Sequence, residues 1–336
     1  YENNTLTLRC ARGGYASFQL VVRDRKGGSF VIATEKITRG IGVDLYRQFY
    51  NLNSKEQRWY PDALVPVPSS AKHQLPAADN GIEDQTAQAF WVDVWVPAGV
   101  RGQAEFTLNA WCGGVKLPVW VKLLIEDIVY PAEDAVTADH NCYGIGFIGA
   151  SHPKVVQKVP ENFSTSEPCF RLVQAYHRAF YEHRGTFHQL GYNHSGGVTA
   201  AFAPELEGDG PKRHVKSWDL FDRHYGPLLD GSAFEGTRRG ARPVEGIYLP
   251  INPEWPARLI QWGTPAYEAE FVGVLSEMER HFREKGWTKT GYELFFNHKK
   301  RYRGFAWDGD ETRFPQDDAY FKQYGAWLHK AVPPAS

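Results

Sequence analysis

No stretch of about 18 apolar residues occurs, so the sequence holds no membrane-spanning helix. Excess charge of either sign is missing too: 38 Lys and Arg face 39 Asp and Glu, a formal net charge of -1. That balance argues against a nucleic-acid-binding protein, which carries a basic excess. The one strong basic cluster, His298-Lys299-Lys300-Arg301-Tyr302-Arg303, reads as a solvated loop before it reads as a polyanion site. Cysteine is scarce, with 4 residues. Cys10 with Cys112 and Cys142 with Cys169 would be domain-local bridges, and spacing does not choose between those and buried thiols. No leader pattern precedes residue 1, which is Tyr rather than Met, so the chain reads as processed, trimmed or partial. Internal repeats and low-complexity tracts are absent. His188 and His194 lack a helical metal spacing, and neither a metal nor a cofactor is expected.

What the chain does have is length and aromatic surface. Its 336 residues allow two domains. Aromatic residues make up 14% of it. Sugar rings present C–H faces that stack on flat aromatic surfaces, so this composition suits a carbohydrate-active protein, although most such rings pack in cores.

Residues 1–130 read as β. Segments 18–22, 89–96, 104–111 and 116–125 are rich in β-formers, and Gly113-Gly114 marks a hairpin. Short strands with glycine turns predict an antiparallel β-sandwich. Segment 61–85, with four prolines, reads as a long loop. Residues 131–336 differ. Strands are predicted at 140–148, 186–192, 243–251 and 292–297. Helices are predicted at 168–183, capped by Ser166, at 267–285, stopped by Gly286, and at 317–331. Segments 207–210 and 236–243 read as surface loops. The alternation fits a TIM-type (β/α) barrel, whose chemistry sits at the C-terminal strand ends. Only about four strands can be counted where a closed barrel needs eight. The expected second domain is therefore the first half of a barrel, completed by polypeptide beyond Ser336 or by a second chain.

The candidate chemistry follows the fourth of those strands, in Trp307-Asp308-Gly309-Asp310-Glu311. Glycoside cleavage uses a proton donor at the leaving oxygen and a group that stabilises the cationic sugar, usually two carboxyls. Asp310 and Glu311 are adjacent and can share a site where the strand ends, as Gly309 permits. Neighbouring carboxylates raise the pKa of one member and keep it an acid. A solvated acidic turn is the alternative. Asp308, Asp310 and Thr312 also match the first positions of a calcium loop, but Arg313 and Ala319 stand where its Gly and Glu belong. By position at strand ends, Asn141 and Tyr143 face the pocket after the first strand, and His188, Tyr192 and Asn193 after the second. Asn252 and Glu254 follow the third, and Asn297 and His298 the fourth. Trp255, Trp262 and Trp307 are candidate sugar platforms, with core packing as the competing role, and Asp308 is a supporting residue.

Four stretches carry a family resemblance. Ala11-Arg12-Gly13-Gly14-Tyr15-Ala16-Ser17-Phe18-Gln19 is similar to an opening strand of the form Arg-Asn-Glu-Tyr-Glu-Ser-Phe-Gln. Trp91-Val92-Asp93-Val94-Trp95-Val96-Pro97 looks like the closing strands of a sandwich. Trp218-Asp219-Leu220-Phe221-Asp222 with Gly226-Pro227-Leu228-Leu229-Asp230-Gly231 looks like a third barrel segment. Asn297-His298-Lys299, Trp307, Asp310-Glu311 and Asp317-Asp318 match the stretch around a catalytic pair. In this order they resemble the glycoside hydrolases of family 123. Gly13-Gly14 departs from that pattern, as does Thr312, which stands where Pro often follows the acidic pair.

The resemblance implies a β-sandwich joined to a (β/α)8 barrel, in an extracellular or periplasmic protein. It implies exo-hydrolysis of β-linked N-acetylhexosamine by a substrate-assisted retaining mechanism. Asp310 would hold the substrate's acetamido group, and Glu311 would act as acid and then base. The rival readings are a glycosidase for a sugar without the acetamido group, and a non-catalytic carbohydrate-binding or structural surface protein. The partner in each case is a carbohydrate.

Overall fold

The computed structural model describes residues 4–134, 136–159, 162–309, 311 and 314–332. The chain is mixed α/β and divides into two units, Tyr1–Glu133 and Asp134–Ser336.

The first unit is all β: β1 (Thr5–Arg12), β2 (Gly14–Arg23), β3 (Gly28–Glu35), β4 (Gly42–Asn53), β5 (Arg58–Val67), β6 (Lys72–Leu75), β7 (Ala87–Val96), β8 (Gly102–Cys112) and β9 (Val115–Val129). One sheet has the order β1-β9-β8-β3-β6 and the other β2-β7-β4-β5. Alternation explains their shared core. Phe90, Val92, Val94 and Val96 of β7 point inward, as do Phe106 and Leu108 of β8 and Leu123 of β9. Gly13, at φ +72°, makes the tight step from β1 to β2. Two expectations are corrected. β1 pairs with β9 in parallel, so the unit is not purely antiparallel. The proline-rich segment holds β5 and β6 rather than a continuous loop. β5 pairs only with β4, at the sheet edge, where Pro61 and Pro66 break no ladder on the outer side.

The second unit contains β10 (Asp139–Tyr143), α1 (Gly146–Ser151), α2 (Pro153–Val156), α3 (Glu167–Glu182), β11 (Thr186–Leu190), β12 (Glu205–Glu207), β13 (His214–Ser217), α4 (Asp219–Leu229), β14 (Gly246–Tyr248), α5 (Pro265–Glu284), β15 (Gly291–Glu293) and α6 (Asp317–Ala331). β10 pairs with β11 and β14 with β15, both in parallel. β14 lies beside β11, where the Tyr248 and His188 rings are 4.4 Å apart. β12 and β13 form a small antiparallel pair on the excursion between β11 and α4, where 207–210 reads as loop.

The helices cover one face of these parallel strands. Ser166 caps α3 by accepting from the Cys169 N–H, and Phe170, Val173, His177 and Tyr181 form its buried stripe. Thr264 caps α5, which ends at Gly286 with φ +74°. There the Trp287 N–H bonds to the Phe282 carbonyl at 2.8 Å and the Gly286 N–H to Arg283 at 3.0 Å, a Schellman closure. The strand expected over 140–148 stops at Tyr143, because Gly144 takes φ +54° and the chain turns into α1. All four cysteines are thiols. Burial pushes Cys142 up to about 12 and Cys169 to about 11.

His177 and His224 are fully enclosed, and burial pushes both down to about 3. An unfolded histidine titrates near 6.5. Between those values the unfolded chain binds more protons, so stability falls as pH drops below about 6.5, by up to about 1.4 kcal/mol per pH unit per residue. Urea unfolding at pH 7, 6 and 5 will show this decline, and His224→Leu will flatten it. Identical pH slopes for the two proteins would contradict the assignment.

Candidate functional site

The parallel strands have two distinct faces. On β11, Phe187 turns to α3 and stacks on Tyr176 and Phe180. The alternate residues, His188 and Leu190 with Asp139, Asn141 and Tyr143 on β10, share the opposite face. Tyr248 and Glu293 end β14 and β15 as a register pair.

A carboxylate–imidazole–carboxylate row lies on that second face. The His188 ring, 1% exposed, has Nδ1 2.9 Å from Asp139 Oδ1 and Nε2 3.9 Å from Glu293 Oε1. Neither contact has hydrogen-bond geometry. Tyr248 donates to Asp139 Oδ2 at 2.7 Å. Burial, then this bond to Asp139, pushes the Tyr248 phenol well above its ordinary range, so it remains a donor. Gly246 makes room for the row: a Cβ there would stand 2.7 Å from Glu293 Oε1 and 3.0 Å from His188 Nε2. Asp139 and Glu293 lie outside the strand ends considered from sequence. Only the fold brings them to His188.

Beyond the strand ends a second group assembles. Tyr192, buried, donates through its hydroxyl to the Phe295 carbonyl at 2.5 Å and accepts from the Asn297 N–H at 2.7 Å. This fixes the chain leaving β15. The Asn297 side chain is 1% exposed, and neither amide atom has a partner among the described residues. A buried amide left unpaired costs about 1–3 kcal/mol, so Asn297 carries unspent hydrogen-bonding capacity. Asn252 differs, since its amide is engaged. It donates to Gly196 and Pro250 carbonyls and accepts from the Glu254 N–H, so it ties the loop after β11 to the loop after β14. Gly196 allows that approach, with a Cβ position 2.8 Å from Glu254 Cβ. Asn193 closes its own turn by accepting from Ser195 and Gly197.

The loop 298–309 folds around His298, which is fully buried between the rings of Phe305 and Trp307 at 4.6 and 4.7 Å. Gly309 donates to the His298 carbonyl at 3.1 Å, and a Cβ on it would stand 2.1 Å from the imidazole. Asp308 accepts from the Lys300 N–H, so its carboxylate clasps the loop. Trp307 is 1% exposed and stacks on Tyr320 at 5.0 Å, inside the core. Trp255 is half-buried against the same core, and Trp262 packs among Tyr267, Tyr324 and Trp327. Asp310 lies outside the described residues. The Glu311 side chain is 54% exposed, with Oε1 3.8 Å from Lys299 Nζ. Glu254, 17% exposed, accepts from the Leu259 N–H and lies 3.8 Å from Arg303 Nη1.

Exposed aromatic rings border this group. Tyr143 meets His194 edge-on at 5.7 Å, and His194 stacks on Tyr302 at 6.0 Å. Lys299, His194 and Tyr302 were not singled out from sequence as site residues. The basic run and the position of His194 after β11 are the signals that pointed to them.

No protein-family profile matches the sequence, and no curated protein matches it. Among solved structures, the backbone is similar to that of a family 123 glycoside hydrolase from Clostridium perfringens, studied for glycolipid glycan hydrolysis. The TM-score is 0.54 at 10% identity, covering 87% of this chain and 53% of that one. The chain thus spans about half the length of that structure, and the likeness concerns fold alone. A family 5 xyloglucanase from Bacteroides ovatus aligns with 98% of this chain and 61% of its own, at 10% identity. Its TM-score of 0.25 is too low to bear on the fold.

Gly309→Ala tests how the loop is built. The added methyl cannot coexist with the His298 ring, so the loop must open. Trypsin cleavage at Lys299 to Arg303 should accelerate at least tenfold, with a lower Tm. Unchanged cleavage would refute the close approach.

Proposed function

We propose that the chain belongs to a glycoside hydrolase acting on β-linked N-acetylhexosamine. In this reading Asp310 and Glu311 are the working pair, and the mechanism is substrate-assisted and retaining. The observation that carries it is the position of Glu311, a half-exposed carboxylate on the loop that leaves the fourth parallel strand. Carboxyl groups at the C-terminal ends of parallel strands are where such scaffolds place their chemistry. The fold likeness to a glycoside hydrolase supports the same class.

The step is acid–base work. Glu311 gives its proton to the glycosidic oxygen while the substrate's acetamido oxygen attacks the anomeric carbon. Asp310 holds the acetamido nitrogen as positive charge develops. Glu311, now ionised, takes a proton from water in the second step. Asn297 supplies a buried amide for a sugar hydroxyl, and Asn141 and Tyr143 face the sugar from β10. The Asp139–His188–Glu293 row anchors the floor beneath them.

The two units are read as a β-sandwich, 1–130, and the first half of a (β/α) barrel, 131–336. A continuation or a second chain completes that barrel. The exposed Asp139 fits this, since a closed barrel would cover it. Among the described residues no helix is long and apolar enough to cross a membrane. An extracellular or periplasmic setting is part of the proposal.

Hydrolysis of an aryl N-acetyl-β-galactosaminide by wild type and Glu311→Gln tests the assignment. General acid–base catalysis contributes about 10²–10⁴-fold, and a loss of that size is expected. Equal rates would sink it. Tight inhibition by an acetamido-derived thiazoline separates this mechanism from that of a glycosidase for sugars without the acetamido group.

A further inference from the structure

The basic run after β15 reads from sequence as a solvated loop, but in the structure its charges divide. Lys299 lies 3.8 Å from Glu311 and Arg303 lies 3.8 Å from Glu254. Lys300 and Arg301 are exposed, and neither has a carboxylate partner among the described residues. Their backbone is nevertheless anchored. Lys299 N–H bonds to the His194 carbonyl at 3.0 Å, the Lys300 N–H to Asp308, and the Tyr302 N–H to the Lys299 carbonyl at 2.9 Å.

Arg301, next to Lys300 in the chain, stands at the end of an aromatic row. Arg301 Cζ lies 5.1 Å from the Tyr302 ring centroid. Tyr302 stacks on His194, and His194 meets Tyr143, which is 56% exposed. Rings bind the C–H face of a pyranose, and a guanidinium fork binds a carboxylate or sulfate through paired N–H donors. The pairing of Lys299 and Arg303 neutralises the charges that adjoin Glu311 and Glu254, and leaves the outer two.

Resting on the carbohydrate reading above, we propose that Tyr143, His194, Tyr302, Lys300 and Arg301 form a subsite for an anionic sugar residue next to Glu311. The anionic group is a carboxylate or a sulfate ester, and the sugar ring lies against Tyr143. The rings confer affinity for any pyranose, and the two cations select the charged one.

The test uses wild-type protein and three disaccharides joined by a hydrolysis-resistant sulfur linkage: neutral, carboxylated and sulfated. Calorimetric titration at low salt should give at least tenfold tighter binding of one or both anionic forms, and which one identifies the group. The preference should vanish in 0.5 M NaCl, as screening requires. It should also vanish in Lys300→Ala/Arg301→Ala, while affinity for the neutral form stays unchanged. Tyr143→Ala should weaken all three. Equal affinity for neutral and anionic forms would overturn the proposal. So would competition by duplex DNA as effective as that of the anionic sugar, which would mark a non-specific polyanion surface. Anionic preference together with equal rates for wild type and Glu311→Gln would remove the hydrolase assignment and leave the subsite standing.

Discussion

One hydroxyl carries much of this site. β15 is three residues long, and the chain beyond it loses its ladder partners just where it must stay buried. Tyr192 replaces the missing strand by bonding one carbonyl and one N–H of the segment 295–297. Buried backbone groups left unpaired are costly, so without that hydroxyl the segment would have to move toward water. Asn297, His298 and the loop bearing Glu311 all hang from this attachment. A side chain two residues past the second parallel strand thus positions the residues that follow the fourth.

The second level of organisation is steric. At three places around the site the fold depends on a missing side chain: Gly196 against Glu254, Gly246 beside His188 and Glu293, and Gly309 against His298. The first two bring elements distant in sequence into contact, and the third closes the loop 298–309 on itself. The polar row Asp139–His188–Glu293 exists because Gly246 leaves it space, and Tyr248 holds one end of it.

Much of the helical layer was legible. α3, α5 and α6 show apolar spacing of three and four, and α3 and α5 have capping residues that the structure uses. α4 has the same signal in Phe221, Tyr225, Leu228 and Leu229, but Gly226-Pro227 in its last turns disguised it. β5 was hidden by prolines that an edge strand tolerates. The site was less legible than the fold. His188, Asn297 and Glu254 came into view through strand position alone. The Asn252 amide is engaged by its own turn, through Pro250 and Glu254, and by Gly196 56 residues away, whereas the Asn297 amide has no partner among the described residues, and residue type alone does not separate the two. Trp307 shows the same limit. A tryptophan beside acidic residues invites a binding role from sequence, and its stacking on Tyr320 is a long-range fact.

The loop 298–309 combines a position that tolerates no added atom with two whose side chains touch little. Gly309 is fixed by the His298 ring, whereas Lys300 and Arg301 extend from backbone that is anchored through main-chain groups. Substitution at the outer pair therefore leaves the scaffold untouched while altering what the rim meets. Under the proposed carbohydrate reading, a lineage carrying this fold would shift its preference among glycans by drift at two codons, without touching the positions on which the loop depends. Adaptability and rigidity occupy neighbouring positions of one short segment.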